Sequence, residues 1–187
     1  MKLQKANLLI AACFIVANLC GQKNSDKQKS MLFLSRIDSA TVSIDIKGDL
    51  FEQYNQKIGK EFVANNRTPI VKEKLDSLNK YFEDYMREIE NSIQKLNSIV
   101  EYDGRFNLIQ KNISFLSSER KYWEKSVSIL MGLYKNGSNY LTKDQRNEIN
   151  NSFAKLNTEQ KSQNDKLILQ FKDFSNAHGF EYVQKHK

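Results

Sequence analysis

Residues 68–104 read TPIVKEKLDSLNKYFEDYMREIENSIQKLNSIVEYDG, and this stretch decides the fold. Its apolar residues recur at alternating spacings of three and four, which places them on one face of an α-helix. They are Val71, Leu75, Leu78, Phe82, Tyr85, Ile89, Ile93, Leu96 and Val100. Thr68 followed by Pro69 predicts the start of this helix, because Thr caps free N–H groups and Pro needs no partner at the first position. Asp103-Gly104 predicts a turn after it.

An apolar stripe of the same period precedes this helix along the chain. It consists of Leu34, Ile37, Thr41, Ile44, Gly48, Phe51, Asn55, Ile58 and Phe62. The stretch from Val42 to Ile46 also alternates as a strand would. The stripe resumes in phase after Gly48, however, which favours one long helix with a weak point.

Two more helices are predicted after residue 104. The third stripe is Ile109, Ile113, Leu116, Arg120, Trp123, Val127, Leu130 and Tyr134, and Asn136-Gly137 predicts its end. The fourth helix begins with a capping box from Thr142 to Gln145. Its stripe is Ile149, Phe153, Leu156, Leu167, Phe171 and Phe174, and Ala177-His178-Gly179 closes it.

The composition agrees with helices and disfavours strands. One Pro and seven Gly in 187 residues leave few of the turns that an all-β domain needs. Short connections force neighbouring helices to run antiparallel, and near-heptad spacing favours shallow crossing angles. We therefore predict an all-α domain over residues 31–187, an elongated antiparallel bundle of about four long helices with coiled-coil-like packing.

The amino terminus has the pattern of a secretory signal. Lys2 and Lys5 precede an apolar run from Ala6 to Leu19, and the chain turns polar from Gly21. The run is shorter than the roughly 20 residues that a membrane-spanning helix needs. We therefore predict a signal peptide over residues 1–19.

Cys20, at the end of this run, resembles the lipobox cysteine of bacterial lipoproteins, with Ala17-Asn18-Leu19 before it. In that family the signal is cut just before a Cys that carries a diacylglyceryl group. The resemblance implies an acyl anchor, with palmitate or a similar chain, at Cys20. Cys13, after Ile10-Ala11-Ala12, is the alternative site, although the apolar run ahead of it is short. Because Gly21 stands where Asp often retains family members at the inner membrane, the resemblance implies the outer membrane, facing the periplasm.

Removal of the signal changes what remains of the chain and its charge. Residues 20–30 contain no apolar side chain after Cys20, and we predict a flexible tether there. Without Lys2 and Lys5 the net charge of +7 becomes +5. The basic residues are spread along the chain, which suits anionic lipid or polyanionic polymers of the envelope better than a nucleic-acid groove. We expect no nucleic-acid partner.

The sequence contains none of the motifs for phosphate, dinucleotide or metal-dependent catalysis that we can recognise. With two His and two Cys, we expect no metal, no cofactor and no catalytic residues. Together with the all-helical domain, this pattern resembles that of small helical lipoproteins. It implies a non-enzymatic envelope protein that presents its bundle to another, unknown envelope component.

An alternative function rests on Arg120 and Trp123 in the third stripe. A bundle core could hold a small apolar or anionic ligand between them, as a carrier or sensor does. In the other interpretation, the Arg120 stem covers apolar surface and its head reaches water or the adjacent Glu119 and Glu124.

Polar residues in the fourth segment have structural interpretations. Gln160 and Gln163 interrupt its stripe, where they either specify the register of packing or mark a part of the helix beyond its partners. His178 is expected to be a favourable cation at the carboxyl end of the helix.

Overall fold

The computed structural model describes residues 25–182, apart from the side chain of Tyr140. Four helices make up most of this part: α1 (Ser25–Ala64), α2 (Lys72–Asn97), α3 (Leu108–Asn136) and α4 (Lys143–Ala177). A short 3-10 turn, Ser138–Tyr140, follows α3. Residues 25–182 contain no strand, and each helix packs against the next along the chain. The prediction of an all-α bundle of four long helices is confirmed.

Two ends of the bundle are defined by contacts between distant parts of the chain. At the His178 end, Asp26 in α1 contacts Tyr102 in the α2–α3 connection and His178 after α4. At the Arg67 end, the backbone N–H of Ser138 donates to the Arg67 carbonyl at 3.1 Å. Because α1 has 40 residues that each rise about 1.5 Å, the two ends lie about 60 Å apart.

A continuous apolar core runs between these ends and follows the predicted stripes. Its largest fully buried side chains include Phe51, Phe153 and Phe174, one from α1 and two from α4. Burial of a side chain this large stabilises the fold by about 2–3 kcal/mol. In the ambiguous stretch of α1, Val42 is 50% exposed and Ile46 is 58% exposed, whereas Ile44 between them is fully buried. Helical periodicity, not strand alternation, therefore governs this stretch.

The weak points of the α1 stripe each have a partner in the packed structure. The Thr41 hydroxyl donates to the Ile37 carbonyl at 2.9 Å, and Asn55 accepts a hydrogen bond from the Tyr134 hydroxyl at 3.2 Å. Gly48 lies against the ring of Tyr85, and a Cβ added to it would be 3.1 Å from that ring. The missing side chain lets α1 approach α2 closely.

The tether predicted for residues 20–30 is wrong from Ser25 onward, where α1 begins. Ser30 is fully buried, and its hydroxyl donates to the Asp26 carbonyl at 2.9 Å. The first turns are helical because they pack against the α2–α3 connection and the end of α4, a tertiary contact that composition does not reveal. The predicted signal, Cys13 and Cys20 lie outside the described residues.

The predicted bounds of α2 are also wrong, since α2 begins at Lys72 and ends at Asn97. The Thr68 hydroxyl donates to the Asn65 carbonyl and completes the turn after α1. The N–H of Ile70 donates to the Tyr134 carbonyl of α3 at 2.8 Å, and Ile70 lies outside α2. At the other end, Val100 is 84% exposed and outside the helix.

The predicted ends of α3 and α4 are confirmed. Gly137 has a φ of 74°, and its N–H donates to the Leu133 carbonyl at 2.8 Å. At Thr142 both hydrogen bonds of the capping box with Gln145 are present. Helix α4 ends at Ala177. Among residues 25–182, no helix is both long and apolar enough to cross a membrane.

Candidate functional site

A carboxyl group, Glu119 of α3, lies fully buried in the bundle core. The Tyr85 hydroxyl of α2 donates to Glu119 Oε1 at 2.9 Å, and Trp123 Nε1 approaches the same oxygen at 3.4 Å. Gln160 of α4 faces the carboxyl group and is itself 3% exposed. We call Tyr85, Glu119, Trp123 and Gln160 the Glu119 cluster. It joins three helices through polar atoms.

Burial dominates the electrostatics of this cluster. It raises the pKa of Glu119 to about 7, against the hydrogen bonds from Tyr85 and Trp123, which lower it. The negative charge of Asp45 on α1 raises it further, and Gln160 lowers it. Burial likewise raises the pKa of Tyr85 well above its usual range. Glu119 is therefore a group that can exchange a proton near neutral pH.

The hydrogen bonding of the Glu119 cluster is incomplete. Gln160 is close enough to lower the Glu119 pKa, yet its Nε2 forms no hydrogen bond of good geometry within residues 25–182. Glu119 Oε2 also has no hydrogen-bond partner in this part of the chain. A buried polar atom without a partner destabilises a fold by about 1–3 kcal/mol, and more when it is charged. When Glu119 is protonated, the buried group is neutral, and its unpartnered oxygen no longer carries a charge.

Aromatic rings enclose the Glu119 cluster on one side. The Trp123 ring packs edge-on against Phe51 at 5.4 Å, Tyr122 at 5.2 Å and Tyr85 at 6.2 Å between centroids. Trp123 is 8% exposed. The sequence placed Trp123 in the core, and it lies there.

Arg120 points away from this cluster. Its guanidinium group, in a side chain that is 43% exposed, contacts Glu124 at 2.9 Å and Glu90 of α2 at 2.6 Å. The hydrogen bond that Arg120 donates to Glu124 raises the pKa of Arg120. The structure therefore does not bring the Arg120 charge and the Trp123 ring to a common site. The contacts of Arg120 agree instead with the second interpretation, in which the aliphatic part of its side chain lies along the surface and its guanidinium group reaches a glutamate.

Sequence reasoning missed Glu119 because it assigned one buried stripe to α3. Helix α3 packs against both α2 and α4, so its buried face is wider than one stripe. The signal was present as a second stripe at spacings of four and three: Leu108, Asn112, Phe115, Glu119, Tyr122 and Ser126, all buried. Two aromatic residues flank the carboxyl group within it.

A second polar group lies at the His178 end. His178 Nδ1 is 2.9 Å from Asp26 Oδ2, and Nε2 is 3.3 Å from Asp103 Oδ2. The Tyr102 hydroxyl donates to Asp26, and the Phe174 ring lies 4.5 Å from the imidazole ring. We call Asp26, Tyr102, Asp103 and His178 the His178 cluster. His178 follows the last turn of α4, the position predicted from the sequence, and its ring contacts residues of α1 and of the α2–α3 connection.

The pKa values of the carboxyl groups in the His178 cluster are lowered, whereas that of Glu119 is raised. The hydrogen bond from Tyr102, followed by that from His178, lowers the pKa of Asp26. Hydrogen bonds from the Arg105 guanidinium group lower the pKa of Asp103 to about 2. Both carboxylates therefore stay ionised at any physiological pH.

Neither cluster forms a metal site. Residues 25–182 contain no group of three or more His, Cys, Asp or Glu arranged to hold a metal ion.

The two glutamines that interrupt the α4 stripe differ in burial. Gln163 is partly buried, whereas Gln160 is buried among its partner helices. Gln160 therefore lies within the packed part of α4 and not beyond it.

Comparison with known proteins identifies no relative. No protein-family model matches the chain, and no curated protein or solved structure shows significant similarity to it.

Proposed function

We propose that this chain is a lipid-anchored, non-enzymatic protein of the bacterial envelope that presents its helical bundle to another envelope component. The observation that carries the proposal is the order of the first 25 residues. A basic start, an apolar run from Ala6 to Leu19 and Cys20 are followed within five residues by Ser25, the first residue of α1. An acyl group on Cys20 would thus lie directly beside a packed domain.

The physical chemistry of anchoring supports this order. Each buried methylene group contributes about 0.8 kcal/mol to membrane affinity, and two chains hold a protein stably where one is marginal. Five extended residues span at most about 18 Å, so the His178 end would lie close to the bilayer surface. The resemblance to bacterial lipoproteins, with Gly21 where Asp often retains family members at the inner membrane, favours the outer membrane.

The two polar clusters support a non-enzymatic role. Glu119 is fully buried, so no substrate reaches it without opening of the bundle. His178 is flanked by Asp26 and Asp103, and its side chain is 7% exposed. Each cluster joins helices or connections that are distant in the sequence, which is the role expected of structural polar groups.

The alternative, a carrier with its ligand between Arg120 and Trp123, gains no support from their placement. Arg120 forms ion pairs with Glu90 and Glu124 at the surface, and the Trp123 ring packs against three aromatic rings. A ligand there would have to displace these contacts.

Acylation of the full chain tests the proposal. In cells labelled with a clickable fatty acid, the wild-type protein should carry label and fractionate with membranes. Cys20→Ala should lose the label and leave the membrane fraction, whereas the matched variant Cys13→Ala should keep both. An unlabelled wild-type protein would refute the anchor, and loss of label only in Cys13→Ala would move it to the alternative site.

A further inference from the structure

The Arg67 end is a surface built from two connections that hydrogen-bond to each other. Besides the bond from Ser138 to the Arg67 carbonyl, the Asn139 side chain donates to the Asn66 carbonyl at 3.1 Å. The N–H of Ile70 donates to the Tyr134 carbonyl. These bonds tie the α1–α2 connection to the end of α3. Side chains of both connections therefore lie on one end of the bundle.

Positive charge is concentrated at this end. Residues 60–74 and 135–146 contain seven Lys and Arg but three Asp and Glu, a net charge of +4. Residues 25–182 as a whole contain 24 and 22, a net charge of +2, so the rest of the described chain is negative by two. Six of the seven cations are exposed and form no ion pair within the described residues: Lys60, Arg67, Lys72, Lys135, Lys143 and Arg146. Lys74 is paired with Glu61.

Three of these cations occupy positions that local stability disfavours. Lys72 and Lys143 are the first residues of α2 and α4, where the helix dipole repels a positive side chain. Arg67 has a φ of 58°, and Asn66 before it has a φ of 52°, a left-handed conformation that an arginine rarely adopts. Departures from local preference cluster at functional sites. Three of the six exposed cations of this end therefore lie at positions that local preferences disfavour.

We propose that the Arg67 end binds a polyanionic polymer of the envelope, one that carries repeated phosphate or carboxylate groups. This rests on the proposed function, which holds the opposite end at the bilayer. The protein's own membrane would then be about 60 Å away, beyond reach of these side chains. Four of the six cations are lysines on flexible stems spread over two connections, which suits closely spaced, repeated charges better than one fixed pair. Binding releases counterions and therefore weakens steeply with salt.

The binding test uses the full chain in a mild detergent and fluorescently labelled inorganic polyphosphate as the probe. Each of two variants removes four positive charges, but from different parts of the surface. The tip variant is Arg67→Gln, Lys72→Gln, Lys135→Gln and Lys143→Gln. The matched control, on exposed lysines of the helix shafts, is Lys80→Gln, Lys121→Gln, Lys125→Gln and Lys161→Gln. Circular dichroism melts establish that both variants are folded.

We expect the tip variant to lose about tenfold or more in affinity at low salt and the control about twofold or less, with a shallower salt dependence only in the tip variant. Equal losses in both variants would overturn the proposal, because the charge field would then be diffuse. Absence of binding by the wild-type chain would overturn it as well. Tighter, tip-dependent binding to phosphatidylglycerol vesicles than to polyphosphate would replace the polymer with a lipid surface.

The anchor and the tip fail separately in this design. Cys20→Ala should bind polyphosphate as the wild type does, since the charges lie at the other end. If the wild-type chain is not acylated in the labelling experiment but still shows tip-dependent binding, the proposed anchor alone is refuted. Normal acylation with no tip-dependent binding refutes the polymer site alone.

Discussion

Glu119 in the bundle core and Asp103 at the His178 end are both carboxylates that accept hydrogen bonds, yet their pKa values move in opposite directions. Burial raises that of Glu119 to about 7, and the Arg105 guanidinium group lowers that of Asp103 to about 2. Tyr85 and Trp123 donate to Glu119 without bringing a positive charge. Neutral donors do not offset the loss of water around the fully buried carboxylate of Glu119, whereas an adjacent cation does so for Asp103, whose side chain is 13% exposed.

The largest expected effect is on the pH dependence of stability through Glu119. Its pKa is about 7 when folded and close to 4.5 when unfolded, so between these values the folded chain binds the extra proton. The free energy of unfolding should therefore fall as pH rises through that window, by about 3 kcal/mol in total. In Glu119→Gln this fall should disappear. Urea unfolding at pH 5 and pH 8 measures most of this fall.

The exposed Glu148 provides the control for that experiment. Glu148→Gln should retain the wild-type difference between pH 5 and pH 8. If Glu119→Gln kept the same difference, the buried carboxyl group would not be the source, and the contrast with Asp103 would fail.

A smaller effect is expected from the hydroxyl group of Tyr85. Tyr85→Phe keeps the ring stacked near Phe51 but removes the hydrogen bond to Glu119 Oε1. We expect a loss of about 1–2 kcal/mol in the free energy of unfolding at pH 8 and less at pH 5, because the charged carboxylate depends more on its donors. Tyr81→Phe, on the partly exposed face of α2, is the matched control. An equal loss at the two pH values would contradict the assigned role.

The smallest effect belongs to Asp103 and appears only in acid. A carboxylate whose pKa is lowered on folding stabilises the fold above its unfolded pKa, near 3.8, and loses that contribution as pH falls to about 2. Asp103→Asn should therefore reduce the acid sensitivity of thermal unfolding between pH 4 and pH 2. Unchanged acid sensitivity in this interval would contradict the comparison with Glu119.

Much of the helical layout was predictable because its signals are local. The capping box at Thr142 and the stop at Gly137 depend on hydrogen bonds between residues three or four apart, and both are present. The start of α2 was not predictable in this way. Thr68 and Pro69 resemble a helix start, but the N–H of Ile70 bonds to Tyr134, 64 residues further along the chain.

The polar clusters were the least predictable part of the candidate site. His178 was recognised at a helix end, but its carboxylate neighbours Asp26 and Asp103 come from a presumed tether and from a turn. Glu119 was passed over in favour of Arg120, because a single stripe on α3 cannot reveal that two other helices cover it.

By itself, the sequence determined the helical class, the number of helices and the ends that local hydrogen bonds close, at Gly137, Thr142 and Ala177, because periodicity and capping act within a few residues. The tertiary structure alone decided which polar side chains are sealed from water, since burial depends on neighbours distant in the chain. The same packing gathers Lys and Arg from two connections at the Arg67 end, where the linear sequence shows only a scattered positive charge.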